Sequence, residues 1–201
     1  MALQPRYLTP DEYLLIERRA EIKSEYVDGV IYAMAGASPN HNIVLSNLIT
    51  ELNLPLRPTP CLVFPIDMKV RIPDRRKYLY PDVSVVCRQP VYADDEKDVL
   101  LNPLLVIEIL SESTASYDRS RKFLWYQQIE SLEEYVLVSQ DEPLVETYYR
   151  QPDGTWTYTK LDSLDATLTL RSVNCALPLQ TVYSKVEFPP RALDDDDDSL
   201  P

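Results

Sequence analysis

Hydrophobic and polar positions recur along this chain with two spacings, one helical and one alternating, and their order outlines a mixed α/β fold. Thr9-Pro10-Asp11-Glu12 opens the first helix. Thr9 is placed as its cap, Pro10 at the first helical position, and Glu12 completes a capping box. Leu14, Leu15 and Arg18 continue that helix. Glu25 to Tyr32 reads as a hairpin turning on Asp28-Gly29, a pair that accepts the backbone of a tight turn. After Gly36 to Asn40, with Ser38 or Asn40 as the capping side chain, Val44, Leu45, Leu48 and Leu52 fall on one face of a second helix.

A Pro-laden break at Pro55 to Pro60 separates this from a strand-rich region. Cys61 to Ile72, Tyr80 to Cys87 and Leu104 to Ser111 are rich in β-branched residues and bounded by Pro, Asp and Asn. The third segment is apolar at both even and odd positions, which predicts a central strand covered on both faces. Asp118 to Ile129 reads as a helix and Glu134 to Ser139 as another apolar strand, the order of a crossover unit. Val145–Tyr149 and Thr155–Lys160 form a second predicted hairpin over Pro152-Asp153-Gly154, and weaker strand signals run on to Val186. The expectation is one domain over residues 1–190, a mixed β-sheet flanked by helices, with an acidic, disordered tail at 191–201. No internal repeat is visible.

Composition narrows the function classes. Hydrophobic residues make up 45% and charged residues 26% of the chain, the balance of a folded globular protein. No run approaches the roughly 18 apolar residues of a membrane span. The N-terminus lacks the pattern of a secretory signal, so a cytoplasmic location is expected. Cys61, Cys87 and Cys175 have no CxxC spacing and read as buried thiols rather than a disulfide framework or zinc site. A single histidine, His41, disfavours a His-rich metal site. The net charge is −12, and Asp194 to Asp198 contribute five of the negative charges. A protein that coats nucleic acid by bulk electrostatics is therefore disfavoured, and any nucleic-acid chemistry must sit in a focused site.

Glu108 is the most informative residue. It lies in Leu104-Leu105-Val106-Ile107-Glu108-Ile109-Leu110, and a carboxylate in a central strand is costly unless paired, protonated or bound to a cation. A salt bridge to a nearby Arg or Lys is the plainer alternative. Asp82 stands at the mouth of a second apolar strand, Pro81-Asp82-Val83-Ser84-Val85-Val86, where an Asp after a Pro is also an ordinary turn residue. If the two strands are neighbours, both carboxylates converge at one end of the sheet and can hold Mg²⁺. Lys122 can place an ammonium beside them, or can simply pair with Asp118 on a helix surface. Glu25 is a further carboxylate candidate or an exposed hairpin residue. His41 opens a helix and can meet phosphate or relay a proton. Arg71, Arg75, Arg76 and Lys77 form a basic turn that either grips a phosphate backbone or is merely solvated.

Taken together, Pro81-Asp82, the LLVIEIL run with Glu108, then Ser111, Asp118, Lys122, Tyr126 and Glu134-Tyr135 resemble the Uma2 family, a restriction-endonuclease-like branch of the PD-(D/E)XK nuclease superfamily. Glu25-Tyr26-Val27-Asp28-Gly29 and the helix-opening His41 match the same pattern, and the resemblance spans roughly residues 8 to 185. It implies a restriction-endonuclease-like core and Asp82 and Glu108 as metal ligands, with Lys122, Glu25 and His41 completing the catalytic set. It also implies Mg²⁺ or Mn²⁺ as cofactor, hydrolysis of phosphodiester bonds in DNA, and a homodimer. One departure stands out: Leu110 fills the lysine position of the E-x-K motif, so Lys122 on the following helix is the expected substitute. A nuclease-fold protein that binds without cutting is the alternative, favoured by the acidic surface and that displaced lysine.

Overall fold

The computed structural model describes residues 7–189. The predicted tail at 191–201 lies outside the described residues. Thr9 caps α1 (Pro10–Glu17) by accepting from the Glu12 backbone N–H, while the Glu12 carboxylate accepts from Thr9. A cap of this kind stabilises a helix by about 1 kcal/mol. β1 (Ser24–Val27) and β2 (Val30–Ala33) form the expected hairpin, with Asp28 and Gly29 both at positive φ. α2 (Pro39–Leu56) begins at Ser38, whose hydroxyl accepts from the His41 N–H, and buries Val44, Leu45, Leu48 and Leu52 along one face.

The segment 61–72 differs from the expectation of one continuous strand: it breaks and changes sheet, giving β3 (Leu62–Pro65) and β4 (Lys69–Arg71). The segment 80–87 holds one strand, β6 (Val83–Val86), and a further strand not expected from the sequence, β5 (Lys77–Leu79), precedes it. β3 and β6 pair in a six-stranded sheet, and β4 and β5 pair in a five-stranded one. Between the pairs Pro65↔Val83 and Val70↔Leu79, one arm of this ribbon has four residues and the other three. One extra residue of this kind is a β-bulge, which bends and twists a ribbon. The bend falls where Pro81 can give no ladder hydrogen bond and where the Ile66 N–H reaches the Asp82 carbonyl at 2.8 Å.

β7 (Val99–Leu100) closes the five-stranded sheet, in the order β2-β1-β5-β4-β7. β8 (Leu105–Leu110) pairs antiparallel with β6 and parallel with β9 (Glu134–Ser139). Between β8 and β9 the chain is helical: α3 (Ala115–Tyr117), a π-helical stretch Asp118–Lys122, and α4 (Phe123–Tyr126). β10 (Val145–Arg150) and β11 (Trp156–Leu161) complete the order β11-β10-β9-β8-β6-β3. A small hairpin, β12 (Thr167–Leu170) with β13 (Cys175–Pro178), and the short α5 (Leu179–Val182) follow. β8 is covered on both faces as its sequence predicts. Leu105, Ile107 and Ile109 face α2 and the β12–β13 hairpin, and Val106 and Leu110 pack with Tyr126, Ile129 and Tyr135. Among the described residues no helix is long and apolar enough to cross a membrane.

One further finding corrects the sequence reading, and a second adds to it. Cys61 and Cys87 flank the β3–β6 ladder and are disulfide-bonded, so only Cys175 is a buried free thiol. Spacing along the chain carried no sign of this pairing, because antiparallel register alone brings the two together. The second is a polar tie that joins α1 to the five-stranded sheet. Asp98 accepts from Arg18 at 2.8 and 3.0 Å and from Lys69 at 2.9 Å. Burial works against the Asp98 carboxylate, yet the two cations outweigh it and depress its pKa to about 2. Folding therefore gains from ionised Asp98 in full above its unfolded pKa near 4, and loses that gain as pH falls toward 2. After allowance for solvent screening, the loss is expected to be on the order of 1 kcal/mol. Urea titrations at pH 5 and pH 2.5 should show this difference in wild type and not in Asp98→Asn.

Candidate active site

Glu108 sits in the middle of β8, and the β6–β8 register, with Val83 opposite Ile107, continues to place Asp82 opposite Glu108. Directly opposed residues of an antiparallel pair share a face, with Cβ atoms about 4.5–5.5 Å apart. β6 begins at Val83, one residue after Asp82, so the Asp82 side chain is not held in a ladder. One Asp82 oxygen accepts from the Ile109 N–H at 2.7 Å, and the other lies 3.1 Å from His41 Nε2. His41 thus bridges the start of α2 to the sheet. Its Nδ1 is buried without a hydrogen-bond partner among the described residues.

Lys122 occupies the centre of the cluster. Its ammonium lies 3.0 Å from Glu108 Oε1, 3.2 Å from Glu25 Oε1 and 3.5 Å from Asp118 Oδ1. The alternative of a surface ion pair with Asp118 is excluded, since both residues are buried. The widened π-helical turn carries both of them inward, and single π turns of this kind occur often at functional sites. Tyr135 holds that turn by donating to the Asp118 carbonyl at 3.0 Å. Tyr126, one turn further on, donates to Glu108 Oε1 at 3.1 Å. Glu25 is likewise buried rather than exposed, and its carboxylate also accepts from the Tyr80 N–H at 3.0 Å. Lys122, Glu108 and Glu25 are thus joined by ion pairs, and the Asp82–His41 pair lies beside them, tied to β8 through the Ile109 N–H.

The charge balance of the group is uneven: one ammonium faces Glu25, Glu108, Asp118 and, one strand away, Asp82. Burial pushes the Glu108 pKa well up, Lys122 pulls it down, and Asp118, Asp82 and Glu25 add to the rise. Burial disfavours the Lys122 ammonium, but Glu108, Glu25 and Asp118 overcome that and keep it protonated well above its usual range. Asp118 is raised by burial against the opposing effect of Lys122. Such surplus negative charge in a low-dielectric site favours a further cation.

The donor set fits a hard divalent ion. Mg²⁺ takes oxygen ligands and commonly uses one or two carboxylates, leaving its other positions to water and phosphate oxygens. Asp82 and Glu108 supply that pair, and among the described residues no donor occupies Glu108 Oε2. Among the described residues no three His, Cys, Asp or Glu side chains form a closed cage. The remaining positions would thus belong to solvent and substrate.

Sequence reasoning did not single out Tyr126 and Tyr135 individually as supports, although both fall within the motif. Their signal was a tyrosine in an otherwise apolar setting, where a buried hydroxyl needs a partner. Glu134, in the same motif, stands apart from the site: it accepts from the Ser172 hydroxyl and from the backbone N–H groups of Arg171 and Ser172. Two of the four cations of the basic turn are paired, with Arg76 2.9 Å from Asp28 and Lys77 beside Asp74.

Comparison with known proteins agrees with this architecture. The family model described as "Uma2: Putative restriction endonuclease" matches residues 10–180. A Synechocystis protein described as "Uncharacterized protein sll1609" is 38% identical over 156 residues, 78% of this chain and 88% of its own. A second, "Uncharacterized protein slr1290" from the same organism, is 36% identical over 183 residues, 90% of this chain and 94% of its own. The crystal structure described as "a putative nuclease belonging to DUF820", from Anabaena variabilis, superposes with a TM-score of 0.73. It covers 88% of this chain and 98% of that one at 21% identity, a likeness of fold.

Proposed function

This chain belongs to the Uma2 family, and we propose that it is a divalent-metal-dependent endonuclease that hydrolyses phosphodiester bonds in DNA. The observation that supports this most is that Asp82, the residue before β6, accepts from the Ile109 N–H beside Glu108 at 2.7 Å, with the Lys122 ammonium 3.0 Å from Glu108. Two carboxylates and a cation at one sheet end are the parts that metal-assisted phosphoryl chemistry requires.

In this reading Asp82 and Glu108 hold Mg²⁺ or Mn²⁺. When bound, such an ion supplies a water of lowered pKa and neutralises charge on a phosphate. Lys122, kept protonated by its carboxylate neighbours, acts through charge: it orients the attacking water and offsets the negative charge that develops on the phosphate oxygens. Glu25 and Asp118 fix the ammonium in place. His41 fixes the Asp82 carboxylate, whose other oxygen is already held by the Ile109 N–H. Tyr126 orients Glu108 in the same manner.

The test is nicking of supercoiled plasmid by the purified chain. Cleavage is expected with Mg²⁺ or Mn²⁺ and not with a chelator. In parallel, either metal should raise the melting temperature of wild type by linkage, and should do so much less in Asp82→Asn. An equal thermal response from both proteins would remove Asp82 as a ligand. Absence of cleavage across DNA and RNA substrates, with the metal response intact, would instead indicate a nuclease fold that binds without cutting.

A further inference from the structure

Beside the carboxylate cluster runs a groove of about 1230 Å³ between the β1–β2 hairpin and the helical segment that carries Lys122. Its charged lining is balanced, Glu25 and Asp28 against Arg76 and Arg121, and the rest is largely aromatic and aliphatic. Tyr32 projects from β2 and is 55% exposed. Tyr7 packs against the hairpin at Gly29 and is 64% exposed. From the helical side come Tyr117 and Trp125, edge to face with centroids 5.7 Å apart. Arg76 and Arg121 are the basic residues of the lining, and Glu25, the carboxylate 3.2 Å from Lys122, lines the same groove. The groove thus leads to the cluster through Glu25.

Charge and ring content together define what this groove can hold. Arg76 is already paired with Asp28, and Arg121 has no acidic partner among the described residues. Few phosphates can be neutralised here, whereas duplex DNA presents about one charge per 1.7 Å of its axis. In a duplex the base faces are also already stacked on one another. A single strand offers those faces, and each base stacked on an aromatic ring gains about 1–3 kcal/mol whatever its sequence. Tyr7, Tyr32, Tyr117 and Trp125, accessible rings along one groove in a chain of net charge −12, match the second case.

We propose that this groove binds single-stranded nucleic acid by stacking bases on Tyr32, Trp125 and the neighbouring rings, and so presents an unpaired strand to the carboxylate site. This rests on the nuclease reading above and adds the form of its substrate. The groove, rather than Asp82 or Glu108, selects single strands, open bubbles or frayed ends over intact duplex.

The test separates binding from cutting. Labelled oligonucleotides are titrated with the full chain in EDTA, using a single-stranded DNA, a single-stranded RNA of the same sequence, and a closed DNA hairpin duplex. Single strands are expected to bind at least about 10-fold tighter than the duplex; with Arg121 the one unpaired cation of the lining among the described residues, log K should fall only shallowly with log salt. Tyr32→Ala and Trp125→Ala should each weaken single-strand binding by about 5- to 100-fold. In a Trp156→Phe background the remaining Trp125 should lose fluorescence on binding. The relative affinity of the DNA and RNA arms assigns the sugar. Equal or tighter duplex binding, insensitive to both ring substitutions, overturns the proposal. So does loss of a dimer in Tyr32→Ala by light scattering with oligonucleotide binding unchanged, since the groove would then cover a second copy. Either result with plasmid cleavage intact leaves the nuclease reading standing. Loss of all nucleic-acid binding together with absent cleavage removes both.

Discussion

Replacing Lys122 with Met is expected to lower metal-dependent DNA cleavage by about 100-fold or more, the usual cost of removing one preorganised charge from a transition state. Met keeps much of the aliphatic stem, so packing against the β8 face survives. The variant should also be less stable by about 3–5 kcal/mol, because Glu25, Glu108 and Asp118 lose their common counter-ion while buried. A divalent ion should restore part of that loss, and the metal-induced rise in melting temperature should be at least as large as in wild type. The decisive comparison is cleavage at a temperature where both proteins are folded by circular dichroism. A folded Lys122→Met protein that cuts at the wild-type rate would reduce Lys122 to a structural counter-ion.

Glu108→Gln is expected to split stability from activity in the opposite direction. The amide fills the same volume and can still accept from Tyr126 and Lys122, but it no longer places a desolvated charge in a central strand. Wild-type Glu108 has its pKa raised mainly by burial. Its contribution to folding is therefore full below its ordinary value of 4.5 and declines as pH rises through the raised value. Without metal, the variant should be as stable as wild type or more so at neutral pH, by about 0.5–2 kcal/mol, as is common when a functional charge is removed. Cleavage and most of the metal-induced stabilisation should be lost. Melting curves at pH 5 and pH 8, with and without Mg²⁺, measure all of this in one series. A large loss of stability without metal would mean that the Glu108–Lys122 pair is a net structural asset.

The parts of the fold set by local chemistry were legible in the sequence. The Thr9–Glu12 capping box, the Asp28-Gly29 turn and the doubly apolar run of β8 each carry their cause within a few residues. Glu108 was legible for the same reason, as a charge where the surrounding pattern allows none. The break in each arm of the 62–86 ribbon was not, because a change of sheet depends on what packs on either side. Pro81 was its only local trace. The burial of Glu25 was equally hidden: a polar residue in a short hairpin reads as exposed until Lys122 and the Tyr80 N–H arrive from distant segments. The π-helical turn at Asp118–Lys122 has no signature in propensity. Neither does the Cys61–Cys87 bond, which follows from register alone.

The extra residue in the 62–86 ribbon makes chain length, more than residue type, the inherited constraint on this site. Side chains in a strand change face with every residue, so a gain or loss of one position between Tyr80 and Asp82 would turn the carboxylate away from Glu108. The facing arm, residues 66–68, is constrained chiefly in its count, whereas Lys69 is also held by type through its pairing with Asp98. Descent should therefore leave residues 66–68 free to drift in composition yet closed to insertions and deletions. Functional relatives that differ in length at 66–69 or 80–82 without a matching change on the other arm would contradict that expectation.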